Sequence, residues 1–500
     1  MTGDESGEGE RAEAANPFPE PSAAIPRGYV LLSTTFRARR VQALVLLAAL
    51  LAAATVQGLT SAGAKPDGSA GKAVAHYAGG RVIHDKAITS KAPDARLYHP
   101  GVDALEPTLG VGSKGEVFFV GVEGQGANIM RSTDKGQTWE DKSPNVGGVN
   151  THPVTLDPYV YVDERTDRVF TIDLTVACSY MSYSDDRGES WITNPLACGR
   201  PVNDHQTLFA GPPVSSPTVG YDNIVYYCWN DVATSSCSKS LDGGLTWTVA
   251  GEPAFHPAEV EEGAPGAGNC GGLHGHGVVG ADGTIYLPKE HCEEPWLAMS
   301  RDEGRTWEHV RVAPRGTAIF GPDPSVAVDD KGNVYYLWID KDRLPYLAVS
   351  DNGGYSWSRP KMVGYPGLGE VALATIDAGG PGKVAIAYYG TDDVSGKIAK
   401  RDYEKAEWNY YMTMSADVFD KNPVFYSGPI NHPGDAVALK ECGPRRCYDA
   451  LDFIDVVVGP DGTPWTSFVD NCTAPCAPEG TVPDITTGLV GRFVGGPSLR

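Results

Sequence analysis

The sequence predicts an all-β protein, a β-propeller of seven blades, and three observations carry that expectation. An eight-residue phrase, Ser-x-Asp-x-Gly-x-Thr/Ser-Trp, is written five times: Ser132–Trp139, Ser184–Trp191, Ser240–Trp247, Ser300–Trp307 and Ser350–Trp357, the last with Asn352 in place of the acid. Its copies recur at intervals of roughly 50 to 60 residues, a period that belongs to propeller blades and not to helical solenoids. The 500 residues include 60 Gly and 38 Pro, set between short Val/Ile/Tyr runs, the composition of a turn-rich β protein.

The phrase explains itself as a corner. Ser and Asp side chains accept hydrogen bonds from backbone N–H groups a few residues on, Gly supplies a positive φ, and Trp anchors the turn with a large apolar body. Seven second strands follow from the pattern: 115–120, 168–172, 223–228, 283–287, 332–337, 382–387 and 462–467. The sixth blade keeps a degenerate corner, Ser415-Ala416-Asp417 running to Phe425 without the Gly, and the seventh has none. Residues 488–494 read as the third strand of the last blade. Its fourth must come from elsewhere or leave an edge exposed, so an N-terminal strand around Arg81 to Ile88 is expected to close the ring. Six blades with a terminal extension is the alternative.

Residues 1–40 read as a polar, disordered tail, acidic at the start with Asp4, Glu5, Glu8, Glu10 and Glu13. Arg37, Arg39 and Arg40 then precede an apolar run from Val41 to Val56 that ends in Ser61-Ala62-Gly63-Ala64, the pattern of a secretory signal over 41–64. A single membrane anchor over 41–57 is the alternative. Either way a secreted or extracytoplasmic propeller is expected over 100–500, joined by a tether and closing strand over 65–99. Ten cysteines fit export: Cys178 with Cys198, Cys228 with Cys237, Cys270 with Cys292, Cys442 with Cys447, and Cys472 with Cys476 are expected as local disulfides. A net charge of −22 argues against nucleic acid or an anionic membrane surface as partner, since either would be repelled.

The start of each first strand and the end of each second strand meet at one mouth of a propeller axis. The starts offer His152, Asp204, His205, His274, His276, Asp323, Glu370, Asp452 and Asp455; the ends offer Asp173, Trp229, Asn230, Asp231, Lys289, Glu290, His291, Trp338, Asp340 and Tyr389. Glycoside cleavage would draw its acid/base pair from Asp204, Glu290, Asp323, Glu370 and Asp452, with Trp229 or Trp338 as stacking platforms. His205, His274 and His276 are expected to contact substrate. With nearby acids they could instead hold a divalent cation, although nothing in the sequence requires a cofactor.

The repeated phrase is similar to the Asp-box, or bacterial neuraminidase repeat, of the sialidase-like β-propellers, over about residues 100–500. The resemblance implies a propeller and a carbohydrate or glycoconjugate partner. It also implies what a sialidase site would need: three arginines gripping a carboxylate, an early Arg-Ile/Leu-Pro motif, an acidic proton donor, and a Tyr paired with Glu. The near match to that motif, Arg343-Leu344-Pro345, stands in the fifth blade, not the first, and Pro107–Val111 in the first blade has no arginine. Arg200, Arg401, Arg445 and Arg446 fall in loops without matching context, and Tyr426 and Tyr448 fall in no motif. Three readings stay open: a carbohydrate-directed glycosidase outside true sialidase chemistry, a non-catalytic glycan- or protein-binding propeller, and a metal-dependent lyase or hydrolase using the histidines.

Overall fold

Seven sheets, each built outward from one inner strand, follow one another along the chain. The structure is a computed structural model. It describes residues 76–77, 85–86 and 88–500, apart from 124–125, 145–154, 156, 176–178, 197–202, 232–233, 257–271, 321–322, 393–405, 438–451 and 471–485. The expected tail and the signal or anchor segment lie outside the described residues. Among the described residues there is no helix, and so none long and apolar enough to cross a membrane.

The inner strands of blades one to seven are Leu109–Val111, Pro158–Asp163, Asp204–Gly211, Val278–Val279, Ser325–Val328, Glu370–Ala378 and Asp455–Val458. Each pairs antiparallel with a second strand, and each second strand with a third. The seven-blade expectation therefore holds, and the six-blade alternative does not.

Closure differs from the expectation in its residues. Asp94–Tyr98 is the strand that completes blade seven, antiparallel to Thr487–Val494 with Tyr98 opposite Val490. Of the segment expected there, Arg81 to His84 lies outside the described residues. Asp85–Lys86 instead runs parallel to Lys361–Met362 of blade five, and Ile88–Lys91 parallel to Val424–Ser427 of blade six. Consecutive short extended stretches thus belt three neighbouring blades. Which stretch meets which blade depends on where the chain crosses each outer edge, and strand-like composition does not encode that.

The repeated corner is bonded as its residues demand. In the first copy Ser132 Oγ donates to Asp134 Oδ1 at 2.9 Å and accepts from Gly136 N at 2.8 Å, while Asp134 accepts from Thr138 N at 2.8 Å and Thr138 Oγ1 at 2.7 Å. Gly136 has φ +89°, where a side chain would be strained. Asn352 keeps the backbone half of the pattern, accepting from Ser356 N at 3.0 Å. The degenerate sixth corner keeps Ser415 Oγ donating to Asp417 at 2.8 Å.

Between blades, aromatic and aliphatic side chains interlock, as where Tyr410 stacks on Phe468 at 3.9 Å. Near the axis, polar stitches bridge alternate seams. Thr108 accepts from Val160 N at 2.7 Å, Thr207 from Gly277 N at 3.1 Å, Ser325 from Ile376 N at 3.1 Å, and Asp455 from Leu109 N at 3.2 Å. The last of these joins blade seven to blade one and so fastens the ring. Cys228 and Cys237 face each other across paired strands and form a disulfide. Cys292 is also disulfide-bonded; its expected partner Cys270, and the other three expected pairs, lie outside the described residues.

Candidate functional site

The axial site is built two residues before the stitches, where the chain enters each inner strand. In blade three a bulge between Asp204 and Thr207 displaces His205 out of register, and a second bulge lies between Ala372 and Thr375 in blade six. Bulges re-aim side chains. Glu106, His205, Asp323 and Leu373 all have positive φ (51°, 52°, 69° and 53°), a conformation that costs a non-glycine residue on the order of 1 kcal/mol or more. Strain repeated at corresponding positions of several blades marks the axial end as specified by more than packing.

Of these, His205, Asp323 and Leu373 line a cavity of about 20 Å³, together with His276, Ser325, Asp452 and Phe453 among others. That is room for about one water molecule. His205 is 2% exposed, and its Nε2 lies 3.3 Å from Asp323 Oδ1. Burial alone would push this imidazole down, but the charges of Asp323, Asp452 and Asp204 outweigh it and hold the group up to about 9, so it is an imidazolium at neutral pH. His276 and His274 behave oppositely. Burial, aided by the charge on His205, pushes His276 down to about 3 and His274 well below the usual imidazole range, so both are neutral. His274 Nδ1 contacts Gly275 O at 2.9 Å. Phe453 sits between the rings of His205 and His276, with centroids at 5.2 and 4.9 Å.

Next to this group lie two acids that the sequence reading did not select. Glu106 hydrogen-bonds Asp157, and its Oε1 accepts Asp452 N at 2.9 Å. Burial first, then the charges of Asp157 and Asp452, push Glu106 well above the usual carboxylate range, so it carries the proton of the pair. Burial and the charge of Asp204 push Asp157 up to about 7. Both belong to a pattern that was legible: Glu106-Pro107, Asp157-Pro158 and Asp323-Pro324 each place an acid and a proline at the start of an inner strand.

The structure therefore brings together Asp204, His205, His274, His276, Asp323 and Asp452, from blades three, four, five and seven. Other candidates stand apart. Glu370 is buried in an ion pair with Arg343 at 2.8 Å, and that guanidinium also covers Phe320 at 3.6 Å. The arginine of the Arg-Leu-Pro motif is thus spent beside blade six. Glu290 is buried on the second strand of blade four, next to Lys289, whose ammonium it influences. Trp229 (2% exposed) stacks on Tyr227, and Trp338 (1%) stacks on Tyr346 and donates to Asp340 at 3.3 Å. Both indoles are packed inside blades and line neither axial space. Tyr426 lies on the fourth strand of blade six, flanked by Asn409–Ser415 and Ile88–Lys91. His152, Arg200, Arg401, Arg445, Arg446 and Tyr448 lie outside the described residues. No arginine or lysine is among the described residues that line the mouth cavity. Among the described residues no group of three or more His, Cys, Asp or Glu is arranged to hold a metal ion.

On the far side of this cluster the axis opens into a chamber of about 460 Å³. His276, Ser325 and Thr375 line both spaces and form the septum between them.

No protein-family model matches the chain. Among curated proteins it is similar to a xyloglucanase of a Paenibacillus species, 25% identical over 266 residues that make up 48% of this chain and 24% of that protein. It is also similar to a sialidase of Micromonospora viridifaciens, 27% identical over 353 residues, 64% of this chain and 44% of that one. The chain thus spans less than half the length of either relative. Among solved structures, a Dyadobacter fermentans protein of unknown function matches with TM-score 0.40 and 13% identity over 82% of this chain and 98% of that one. The intramolecular trans-sialidase of Ruminococcus gnavus matches with TM-score 0.38 and 13% identity over 80% and 97%. The curated relatives are glycoside hydrolases by name, and this chain has the propeller fold.

Proposed function

We propose that this protein is an exported, carbohydrate-directed propeller that engages a neutral glycan at its axial mouth and hydrolyses a glycosidic bond there. The convergence of His205, Asp323, Asp452 and Asp204 on one axial point, beside a Glu106–Asp157 pair that holds a proton at neutral pH, carries the reading. Proton donation to a leaving oxygen needs an acid still protonated near pH 7, and water activation needs a second carboxylate that stays ionised. The Glu106–Asp157 pair supplies the first property, and Asp323, held against the His205 imidazolium, supplies the second. A sialoside is disfavoured, because its carboxylate would meet several acids and, among the described residues that line the mouth, no arginine. The reading needs no metal. The Cys228–Cys237 disulfide and the expected leader support export.

One observation favours a second reading, non-catalytic glycan binding: the described side chains leave space for about one water at the mouth, too little for a sugar ring. A screen of chromogenic glycosides and a glycan array, with and without chelator, decides between them. The expected result is chelator-insensitive turnover of a neutral glycoside, none of a sialoside, and a fall in kcat of about 100-fold or more in Asp323→Asn. Saturable glycan binding without turnover would replace the first reading with the second, and neither activity would reject both.

A further inference from the structure

The chamber on the far side of the septum is separate from the mouth and is of a size that binds small molecules, about 300–1,000 Å³. Its wall is unusual chemically. Each of the seven inner strands has a strand neighbour on one side only, so its other edge turns N–H and C=O groups toward the axis, some of them taken by side chains such as Thr108, Ser325, Asp377 and Asp455. Buried backbone groups of this kind require partners. Apolar side chains, among them Val111, Val279, Val328 and Ala378, fill the spaces between those edges.

Charge decides what such a chamber accepts. Asp377 of blade six takes Val458 N at 2.7 Å, and Asp455 of blade seven takes Leu109 N at 3.2 Å and Val456 N at 2.9 Å. The two carboxyls influence each other across the seam, and His276 Nδ1 lies 4.0 Å from Asp455 Oδ1. Nε2 of the same imidazole is buried with no partner. Asp163 is occupied by Tyr221 and Asn223, and Asp329 by Asn333 and Tyr335. At the rim Glu164 pairs with Arg500 at 2.8 Å, leaving Asp330 and Arg165 as the other charged lining groups. Six acids against two guanidiniums make the space negative, which rejects carboxylates and phosphates.

We propose that this chamber is a second binding site, taking a small organic cation with a primary ammonium on an apolar frame. The ammonium donates to the Asp377 and Asp455 carboxylates and to strand-edge carbonyls, and the frame packs on the valines. The site is independent of glycan handling at the mouth. Because burial pushes Asp377 up to about 6 and Asp455 up to about 8, the cation competes with protons, and its affinity rises with pH from about 5 to about 8.

The test is calorimetric titration of the full chain with cyclohexylammonium, cyclohexanol and cyclohexanecarboxylate, one frame in three charge states. Cyclohexylammonium is expected to bind saturably and at least about tenfold more tightly than cyclohexanol, the scale of a hydrogen bond to a charged group. Asp377→Asn, which keeps an oxygen for the Val458 donor, and Asp455→Asn, which keeps one for one of its two backbone donors, should each weaken it about tenfold, while Asp323→Asn at the mouth should not. Should Asp455→Asn fail to fold, Asp377→Asn and the pH series on the unaltered protein still decide. Equal binding of the alcohol, preference for the carboxylate, no saturable binding, or affinity that falls with rising pH would each overturn the proposal.

Discussion

Glu303→Ala is expected to destabilise the protein by about 3–5 kcal/mol, the cost of breaking a buried, hydrogen-bonded charge pair from one side. Glu303 occupies a variable position of the fourth repeated corner, yet it is fully buried (0% exposed) with φ +63°. It reaches out of blade four into blade three. One carboxylate oxygen accepts Val214 N at 3.2 Å and Ser215 N and Ser216 N at 2.7 Å, while the other accepts the Ser216 hydroxyl and the buried Lys239 ammonium at 3.2 Å. Burial would push this carboxyl up, but the bonds from Ser216, Ser215 and Lys239 outweigh it and hold the group down to about 2. The alanine variant takes the carboxylate from the buried Lys239 ammonium, leaving it the backbone carbonyl of residue 303 at 3.2 Å, and removes the acceptor of three backbone donors. Glu303→Gln, which keeps volume and one oxygen, should lose less. Urea unfolding followed by tryptophan fluorescence and circular dichroism measures both, and an alanine variant within about 1 kcal/mol of the parent would refute the latch.

Stability is expected to fall as pH rises through the mildly acidic range, and Asp173→Asn to abolish part of that fall. Asp173, 5% exposed at the end of the second strand of blade two, has Ala127 N as a donor at 3.3 Å, and burial pushes it up to about 7. A carboxyl raised in the folded state binds its proton more tightly there than in the unfolded chain. Its contribution is therefore complete below about pH 4 and is lost as pH climbs to about 7, for a total on the order of 4 kcal/mol. Asparagine keeps the acceptor and never ionises. Relative to the parent, the variant should be nearly neutral at about pH 4 and more stable by a few kcal/mol at about pH 8. Asp157, Asp377 and Asp455 share the sign, so they deepen the parent's slope without changing the variant's direction. A difference between variant and parent that stays constant with pH would contradict this.

Much of the fold was legible because its information is local. Each corner carries its own acceptors, positive-φ glycine and anchor within eight residues, and Cys228 and Cys237 are brought opposite by a single hairpin. The convergence of Asp204, His205, Asp323 and Asp452 was legible too, since strand starts must meet at an axis. What escaped depends on relations between blades. Whether Trp229 faces the axis or a neighbouring sheet depends on the phase of the pleat, and here it stacks on Tyr227 inside the blade. Arg343 matched a motif by its neighbours in sequence, but its role is set by Glu370, which blade packing delivers. Glu106 and Asp157 became a pair only once blades one and two met. The closing strand lies further along the chain, at Asp94–Tyr98 and not within Arg81 to Ile88, for the same reason.

Distant blades deliver His205 and Asp323 to one axial point. Nuclear magnetic resonance titration of the His205 imidazole tests this directly. The expected folded-state value is about 9, with a marked fall in Asp323→Asn as the carboxylate that outweighs burial is removed. A His205 that titrates near the ordinary imidazole value of about 6.5 and ignores that substitution would contradict it.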